Sequence, residues 1–300
     1  MIEKYTLIIR LNCPFVNELL AKLNPHSIIV PAYDILSSPK TRGKLQKCGY
    51  SLHKMLGYSG KIKLHLIMED DECDKIYHNN ARDMVLRLVK LTGVRDFIGL
   101  DTYTYKDLDR EYNHTFTNNK LQAHLETMLS LVGLPANITI TPLIKGYDME
   151  SFRLCSRFAS LCGHKNFAFH CGNYVSGSAD ELKELQAITG MMKKHCNELT
   201  LVGFSSPRLF ARFRHADYFA GMTPYVLGYT YGRILVKNDI GSGYHKIAYN
   251  KKEMTIIDAI KHNYDFIKEA ASGSMDQTTL LQFQNGQPKT NFTLKNFVRG

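Results

Sequence analysis

Carboxylates follow two apolar segments that have the composition of buried strands. Asp70 comes shortly after the apolar run at residues 64–68, and Asp101 comes directly after the run at residues 96–100. If both runs are parallel strands, their carboxyl ends meet at one face, where two carboxylates can transfer protons or attack an electrophile. Asp217 lies on a later apolar run. We therefore predict Asp70, Asp101 and Asp217 as catalytic residues.

Several other residues at the predicted strand ends could hold a flat ligand. Glycines let a ligand approach the backbone, and aromatic rings can stack on it. We predict as substrate-binding residues Tyr103, Lys145, Gly146, Tyr147, His170, Gly172, Gly203 and Phe204. No spacing of Cys, His or Asp suits a metal ion, so we predict no metal site and no cofactor.

Plainer interpretations of these residues stay open. Asp70 also fits a solvated turn or a helix N-cap, and Lys145 also fits a surface position. His170 also fits a packed residue at the rim of the fold. For Asp101, at a strand exit, catalysis and structure are both open.

The elements that must position these residues alternate along the chain. Eight short apolar runs are separated by segments with helical spacing, and the runs cover residues 5–10, 27–33, 64–68, 96–100, 138–144, 166–171, 199–202 and 216–220. Such alternation predicts a parallel sheet, and eight units predict an α/β fold of the (β/α)8 TIM-barrel class. An open, doubly wound sheet is the alternative. The Gly-x-Gly-x-x-Gly and Walker motifs of nucleotide folds are not present.

The last two strands and the tail carry their own signals. Ser205 or Ser206 could cap a helix between strands seven and eight, with Pro207 in its first turn. We predict the barrel over residues 1–240 and a C-terminal extension packing on it over residues 241–300. The extension carries an amphipathic helix at residues 255–271, and the polar tail after it is predicted to be loosely ordered.

Composition favours a globular protein with a polyanionic partner. Hydrophobic residues make up 44% of the chain, and the formal net charge is +10. A basic chain suits nucleic acid, although a generically basic protein is the alternative. The candidate nucleic-acid-binding residues are Arg208, Arg212, Arg233 and Lys237. We find no apolar run of membrane length and no signal-peptide shape, so we predict a cytoplasmic protein.

The strand endings, taken in order, resemble those of the tRNA-guanine transglycosylase superfamily. The best match is Leu-Val-Gly-Phe-Ser-Ser-Pro at residues 201–207, against the family's Leu-Met-Gly-Val-Gly-x-Pro. Residues 100–105, Leu-Asp-Thr-Tyr-Thr-Tyr, resemble the family's Phe-Asp-Glu-Cys-Thr-Pro-Tyr. Residues 217–224, Asp-Tyr-Phe-Ala-Gly-Met-Thr-Pro, resemble its eighth strand, Asp-x-Phe-Asp followed by small residues. The likeness spans roughly residues 5–233 and is degenerate at each motif.

Two departures from the family pattern bear on the chemistry. The resemblance places the family's nucleophilic aspartate at Ala220, which cannot attack a sugar. The family's C-terminal zinc motif, Cys-x-Cys-x-x-Cys with a distant His, does not occur. The missing zinc motif makes the chain more like the phage-type relatives that act on DNA.

The resemblance implies base exchange, in which a carboxylate displaces guanine and a 7-deazaguanine derivative enters DNA or, as the less favoured polymer, tRNA. Asp101 would hold the base edge and Asp70 would handle protons. With Ala220 at the family's nucleophile position, the attacking carboxylate would be Asp217, Asp70 or Asp101. Alternatively, the alignment of the eighth strand with the family is shifted by three residues, or the protein no longer exchanges bases. The alternatives are an inactive nucleic-acid-binding barrel, acting as a homodimer or beside an active paralogue, and an unrelated barrel enzyme on a small phosphorylated substrate. A phage-encoded chain would work in the host cytoplasm.

Overall fold

Eight parallel strands form a barrel. A computed structural model describes residues 3–66, 71–99, 110–175, 177–238 and 243–273. The barrel strands are β1 (Tyr5–Ile8), β2 (Ser27–Pro31), β3 (Lys61–His65), β4 (Asp96–Ile98), β5 (Thr139–Thr141), β6 (Asn166–His170), β7 (Glu198–Val202) and β8 (Tyr218–Gly221). They lie in the order β5-β4-β3-β2-β1-β8-β7-β6. The predicted (β/α)8 class is confirmed.

The barrel closes between its two outermost strands. Ala168 of β6 donates its N–H to the Pro142 carbonyl and accepts the N–H of Ile144, both at 2.9 Å. A parallel bridge pairs Leu143 with Ala168. This closure excludes the open, doubly wound sheet, because such a sheet leaves its two outer strands apart.

Helices connect the strands and cover the outside of the barrel. They are α1 (Val16–Leu23), α2 (Tyr33–Leu36), α3 (Pro39–Lys47), α4 (Leu52–Leu56), α5 (Asp71–Thr92), α6 (Arg110–Ser130), α7 (Met149–Leu161), α8 (Gly172–Val175), α9 (Ala179–Lys193), α10 (Thr223–Tyr225) and α11 (Ile256–Ser272). Local sequence starts several of them. Asp148 and Ser151 form a capping box for α7, and Ser178 and Glu181 form one for α9. None of the helices that the structure describes is long and apolar enough to cross a membrane.

Alternate strand residues divide the core in two. One set forms a small apolar cluster inside the barrel, and the neighbouring set packs outward under the helices. The inner cluster contains Ile8, Ile29, Ile98, Leu143, Ala168, Val202 and Ala220. Six of the eight strands and the chain just after β5 contribute an apolar side chain to it, so this part of the interior is packed.

The segment between β7 and β8 differs from its prediction. It holds a short 3-10 helix, Phe210–Phe213, instead of a helix capped near Pro207. The Ser205 hydroxyl lies 2.9 Å from the Tyr5 hydroxyl and is buried. This contact between side chains distant in the sequence uses the group that a helix cap would need, so the capping prediction is wrong for Ser205.

A two-stranded hairpin lies between the barrel and its last helix. β9 (Arg233–Lys237) pairs antiparallel with β10 (Tyr244–Ala248). α11 follows and contributes Ile260, Tyr264 and Ile267 to the main core. It packs against α1 and β1, in the helical layer of the barrel. Residues 274–300, including most of the predicted tail, lie outside the described part of the chain.

A buried asparagine joins the hairpin to α11. The Asn263 Oδ1 accepts the N–H of Leu235 at 2.8 Å, and its Nδ2 donates to the Arg233 carbonyl at 2.9 Å. The side chain is fully buried. It therefore provides hydrogen-bond partners for two backbone groups at the free edge of β9, which would otherwise be unpaired.

We expect Asn263→Ala to lower the free energy of unfolding by about 1–3 kcal/mol, because it leaves the buried Leu235 N–H without an acceptor. Chemical denaturation measures the change. Asn17→Ala is the matched control, since Asn17 also donates to a carbonyl but lies at the surface. Equal effects of the two substitutions would contradict the assigned role.

Candidate active face

The carboxyl ends of the strands form one face, which we call the barrel mouth and define by Arg10, Asp34, His170, Gly172 and Gly203. These residues follow or end β1, β2, β6 and β7. Chemistry in parallel barrels takes place at this face. Asp70, Asp101 and Tyr103 lie outside the described residues, so their predicted roles stay predictions.

A buried ion pair fixes one cation at the mouth. The Arg10 Nε lies 2.9 Å and 3.1 Å from the two carboxylate oxygens of Asp34, and its Nη2 lies 2.9 Å from Oδ1. The Leu11 N–H donates to Asp34 Oδ2 at 2.7 Å. The Asp34 side chain is only 5% exposed. Its oxygens are therefore engaged, and it cannot act as an unencumbered nucleophile.

The same ion pair orients Arg10. Two of its three guanidinium nitrogens face Asp34, while its side chain stays 25% exposed. Among the described residues, the structure gives Nη1 no partner. A guanidinium held on one side by a carboxylate presents its other edge to an anion with little further loss of entropy. Arg10 can therefore bind a phosphate or a carboxylate.

The predicted residues His170, Gly172 and Gly203 lie together. Gly203 has a φ of +77°, and a Cβ built on it would lie 3.2 Å from the Gly172 nitrogen and 3.6 Å from His170 Nε2. A side chain there would crowd both neighbours and strain the backbone. The chain thus brings an exposed histidine and two glycines to adjacent strand ends, as the sequence predicts.

The chain after β5 packs closely against the start of α7. It contains the predicted residues Lys145, Gly146 and Tyr147. A Cβ at Gly146 would lie 2.7 Å from the Phe152 nitrogen. The Tyr147 N–H donates to Ser151 Oγ at 2.9 Å, and the Lys145 N–H donates to Cys155 Sγ at 3.5 Å. Close packing at the start of α7 is sufficient reason for this glycine, and a substrate role for the three residues stays a prediction.

Phe204 does not reach the mouth. Its ring is fully buried and lies 4.9–5.7 Å, between ring centroids, from Phe210, Phe213 and Phe219. This cluster packs outside the strands, in the main core. The predicted stacking of Phe204 on a ligand is wrong, because the residue after Gly203 turns towards the helical layer.

Asp217 lies at the opposite end of the barrel from the mouth. It precedes β8, and its Oδ2 accepts the Leu199 N–H and the Lys193 ammonium, both at 2.7 Å. Leu199 is the second residue of β7, so this contact lies at the amino ends of the strands. The structure corrects the expected placement at the active face: Asp217 ties two strand starts together.

Ala220 belongs to the packed interior. It is fully buried beside Val202 and Ile8, and it pairs with Thr6 and Val202 in the sheet. β8, which is described over its whole length, therefore presents no carboxylate at the mouth. Cys13, which follows β1, is buried, and desolvation raises the pKa of its thiol, which makes it a weak nucleophile.

Three of the four predicted basic residues lie on or beside the hairpin, with Arg233 and Lys237 at opposite ends of β9. The Arg208 guanidinium lies 4.9 Å from the ring centroid of Tyr244, which pairs in register with Lys237. Arg233 begins β9. Arg212 instead lies beside α9, where its carbonyl accepts from Gln186. All four side chains are exposed.

Neither the family models nor the curated proteins with which the chain was compared match it. Within the described ranges, no group of three or more His, Cys, Asp or Glu side chains could hold a metal ion.

The sequence-based prediction of the site misses Arg10. Arg10 is the charged residue that ends the run at residues 5–10, which places it at a strand exit. Position at the strand exit is a signal that could have found Arg10.

We expect Asp217→Ala to lower the free energy of unfolding by about 1–3 kcal/mol, because it removes the acceptor of the buried Leu199 N–H. Asp180→Ala, which removes an exposed ion pair with Lys183, should change it by less than about 0.5 kcal/mol. Denaturant titration of both variants measures this. Full stability of Asp217→Ala together with loss of a base-exchange activity would instead show a catalytic role.

Proposed function

We propose that this protein is a transglycosylase-like barrel that binds nucleic acid, with DNA favoured over tRNA, and that it does not exchange bases through β8. The observation that carries the proposal is that β8 presents no carboxylate at the mouth. Its one aspartate neighbour holds the amino ends of two strands, and the position that the resemblance gives to the nucleophile is a buried alanine.

Charge supports nucleic acid as the partner. The chain carries a net charge of +10, and Arg208, Arg233 and Lys237 lie exposed on and beside the hairpin. Arg10 adds an oriented guanidinium at the mouth. Phosphates bind such groups, and the resulting affinity falls as salt rises.

Base exchange with a 7-deazaguanine is the alternative function. Asp34 is engaged by Arg10 and Leu11 and Asp217 lies at the other end, so Asp70 and Asp101 are the predicted catalytic residues that remain as candidate nucleophiles. A small phosphorylated substrate is a further candidate, for which Arg10 at the mouth is a suitable cation.

Two measurements on the full chain test the proposal. Fluorescence anisotropy with labelled DNA and tRNA should show binding that weakens as salt rises. Incubation of each polymer with labelled guanine or 7-deazaguanine should leave no label in the polymer. Binding that is insensitive to salt, or no binding, would contradict the nucleic-acid partner.

Variants separate the alternatives. Incorporated label that disappears in Asp101→Ala or Asp70→Ala, but persists in Asp217→Ala, would replace the binding function with base exchange. No nucleic-acid binding, together with stabilisation by inorganic phosphate that Arg10→Ala abolishes, would favour the small phosphorylated substrate.

A further inference from the structure

The chain after β8 holds an unusual turn. Residues Val226–Thr230 form a π-helical segment, in which the Tyr231 N–H donates to the Val226 carbonyl at 3.1 Å. Such segments are rare and occur often at functional sites. Leu227 and Gly228 are buried, and a Cβ at Gly228 would lie 2.7 Å from Ile260 Cγ1. The segment is thus fixed on α11.

This segment and the residue that follows it carry two exposed tyrosines, Tyr229 and Tyr231, which we call the tyrosine pair. Tyr229 is 43% exposed and Tyr231 is 62% exposed. The Tyr229 ring lies 5.1 Å from that of Tyr225 at an interplanar angle of 34°, and Phe15 meets it edge-on at 5.3 Å. Two rings therefore support Tyr229, while much of its surface remains open to solvent.

Two arginines lie near the tyrosine pair. The Arg10 carbonyl accepts the Cys13 N–H at 3.2 Å, in the turn that leads to Phe15, whose ring meets Tyr229 edge-on. Arg233 follows Tyr231 by two residues and is exposed. Gly232, with a φ of +58°, turns the chain between them.

From these contacts we infer that the tyrosine pair is a stacking platform for unpaired bases of a single-stranded nucleic acid, with Arg10 and Arg233 binding its phosphates. The inference rests on the proposed function and adds the form of the polymer. Exposed aromatic rings between cations are the arrangement that binds single strands without reading their sequence. In a duplex the base faces are covered by their neighbours, so they cannot stack on these rings.

A protein partner suits this surface less well. Both rings end in hydroxyl groups, and the exposed Arg233 follows Tyr231 by two residues. A phosphate backbone matches this charge, and base faces match the open rings, so one occupant uses both features.

Anisotropy with a labelled single strand of about 12 nucleotides, and with the matching duplex, tests the inference at one salt concentration. Tyr229→Ala with Tyr231→Ala should weaken single-strand binding by about tenfold or more per ring, and duplex binding much less. The matched variant, Tyr229→Phe with Tyr231→Phe, keeps both rings and should bind like the wild type. Arg233→Ala should reduce the salt dependence on both polymers.

Tyr231→Ala alone is a variant that should keep the fold, because no ring contact to Tyr231 is present among the described residues. A loss of single-strand binding in this variant therefore cannot be attributed to misfolding. Leu161→Ala controls for the loss of an exposed apolar side chain elsewhere, since Leu161 is 86% exposed. Equal losses on single strand and duplex, or unchanged affinity of the double alanine variant, would overturn the inference while leaving nucleic-acid binding intact. No binding of either polymer by the wild type would overturn the proposed function and the inference together.

Discussion

Closure of the parallel sheet is the constraint on which the remaining structure depends. The two hydrogen bonds between β6 and the chain after β5 make the sheet continuous, and every barrel strand then runs in the same direction. Strand residues must alternate between a packed interior and the helical layer, because the pleat has a period of two. All strand starts lie at one end and all strand exits at the other, so the position of a residue within its strand decides which chemistry it can reach.

Two of the described aspartates, Asp34 and Asp217, show this rule. Asp34 follows β2 and Asp217 precedes β8, so they lie at opposite ends of the barrel. Both accept a backbone N–H and a cation. Asp34 thereby holds an arginine at the ligand-binding end, whereas Asp217 secures two strand starts. The length of one strand, which is four residues in β8, separates a position at the amino end from one at the carboxyl end. Neither composition nor a degenerate motif locates an aspartate that accurately within its strand.

The fold could be predicted from the sequence because its signals are local. Short apolar runs and helical spacing require only neighbouring residues, and the structure confirms the eight strands that they predict. The site was less predictable, because it depends on contacts between distant residues. Ser205 binds Tyr5 instead of capping a helix, and Phe204 enters an aromatic cluster formed with Phe210, Phe213 and Phe219. Glycine at residue 203 was predicted for ligand access, and its positive φ and its contact with Gly172 give a further reason for it.

The hairpin carries exposed charged residues that the barrel core does not have to accommodate. It is inserted between β8 and α11, so it does not interrupt the closed sheet, and Asn263 satisfies its inner edge from α11. The barrel core can then form without the hairpin's outer strand, most of whose residues are exposed. Since the core does not fix those residues, they could carry charge at little cost to packing. The same segment of chain leads from β8 past Tyr229 and Tyr231 to Arg233. Under the proposed function, this segment would connect the strand exits, where Arg10 lies, with the basic residues of the hairpin.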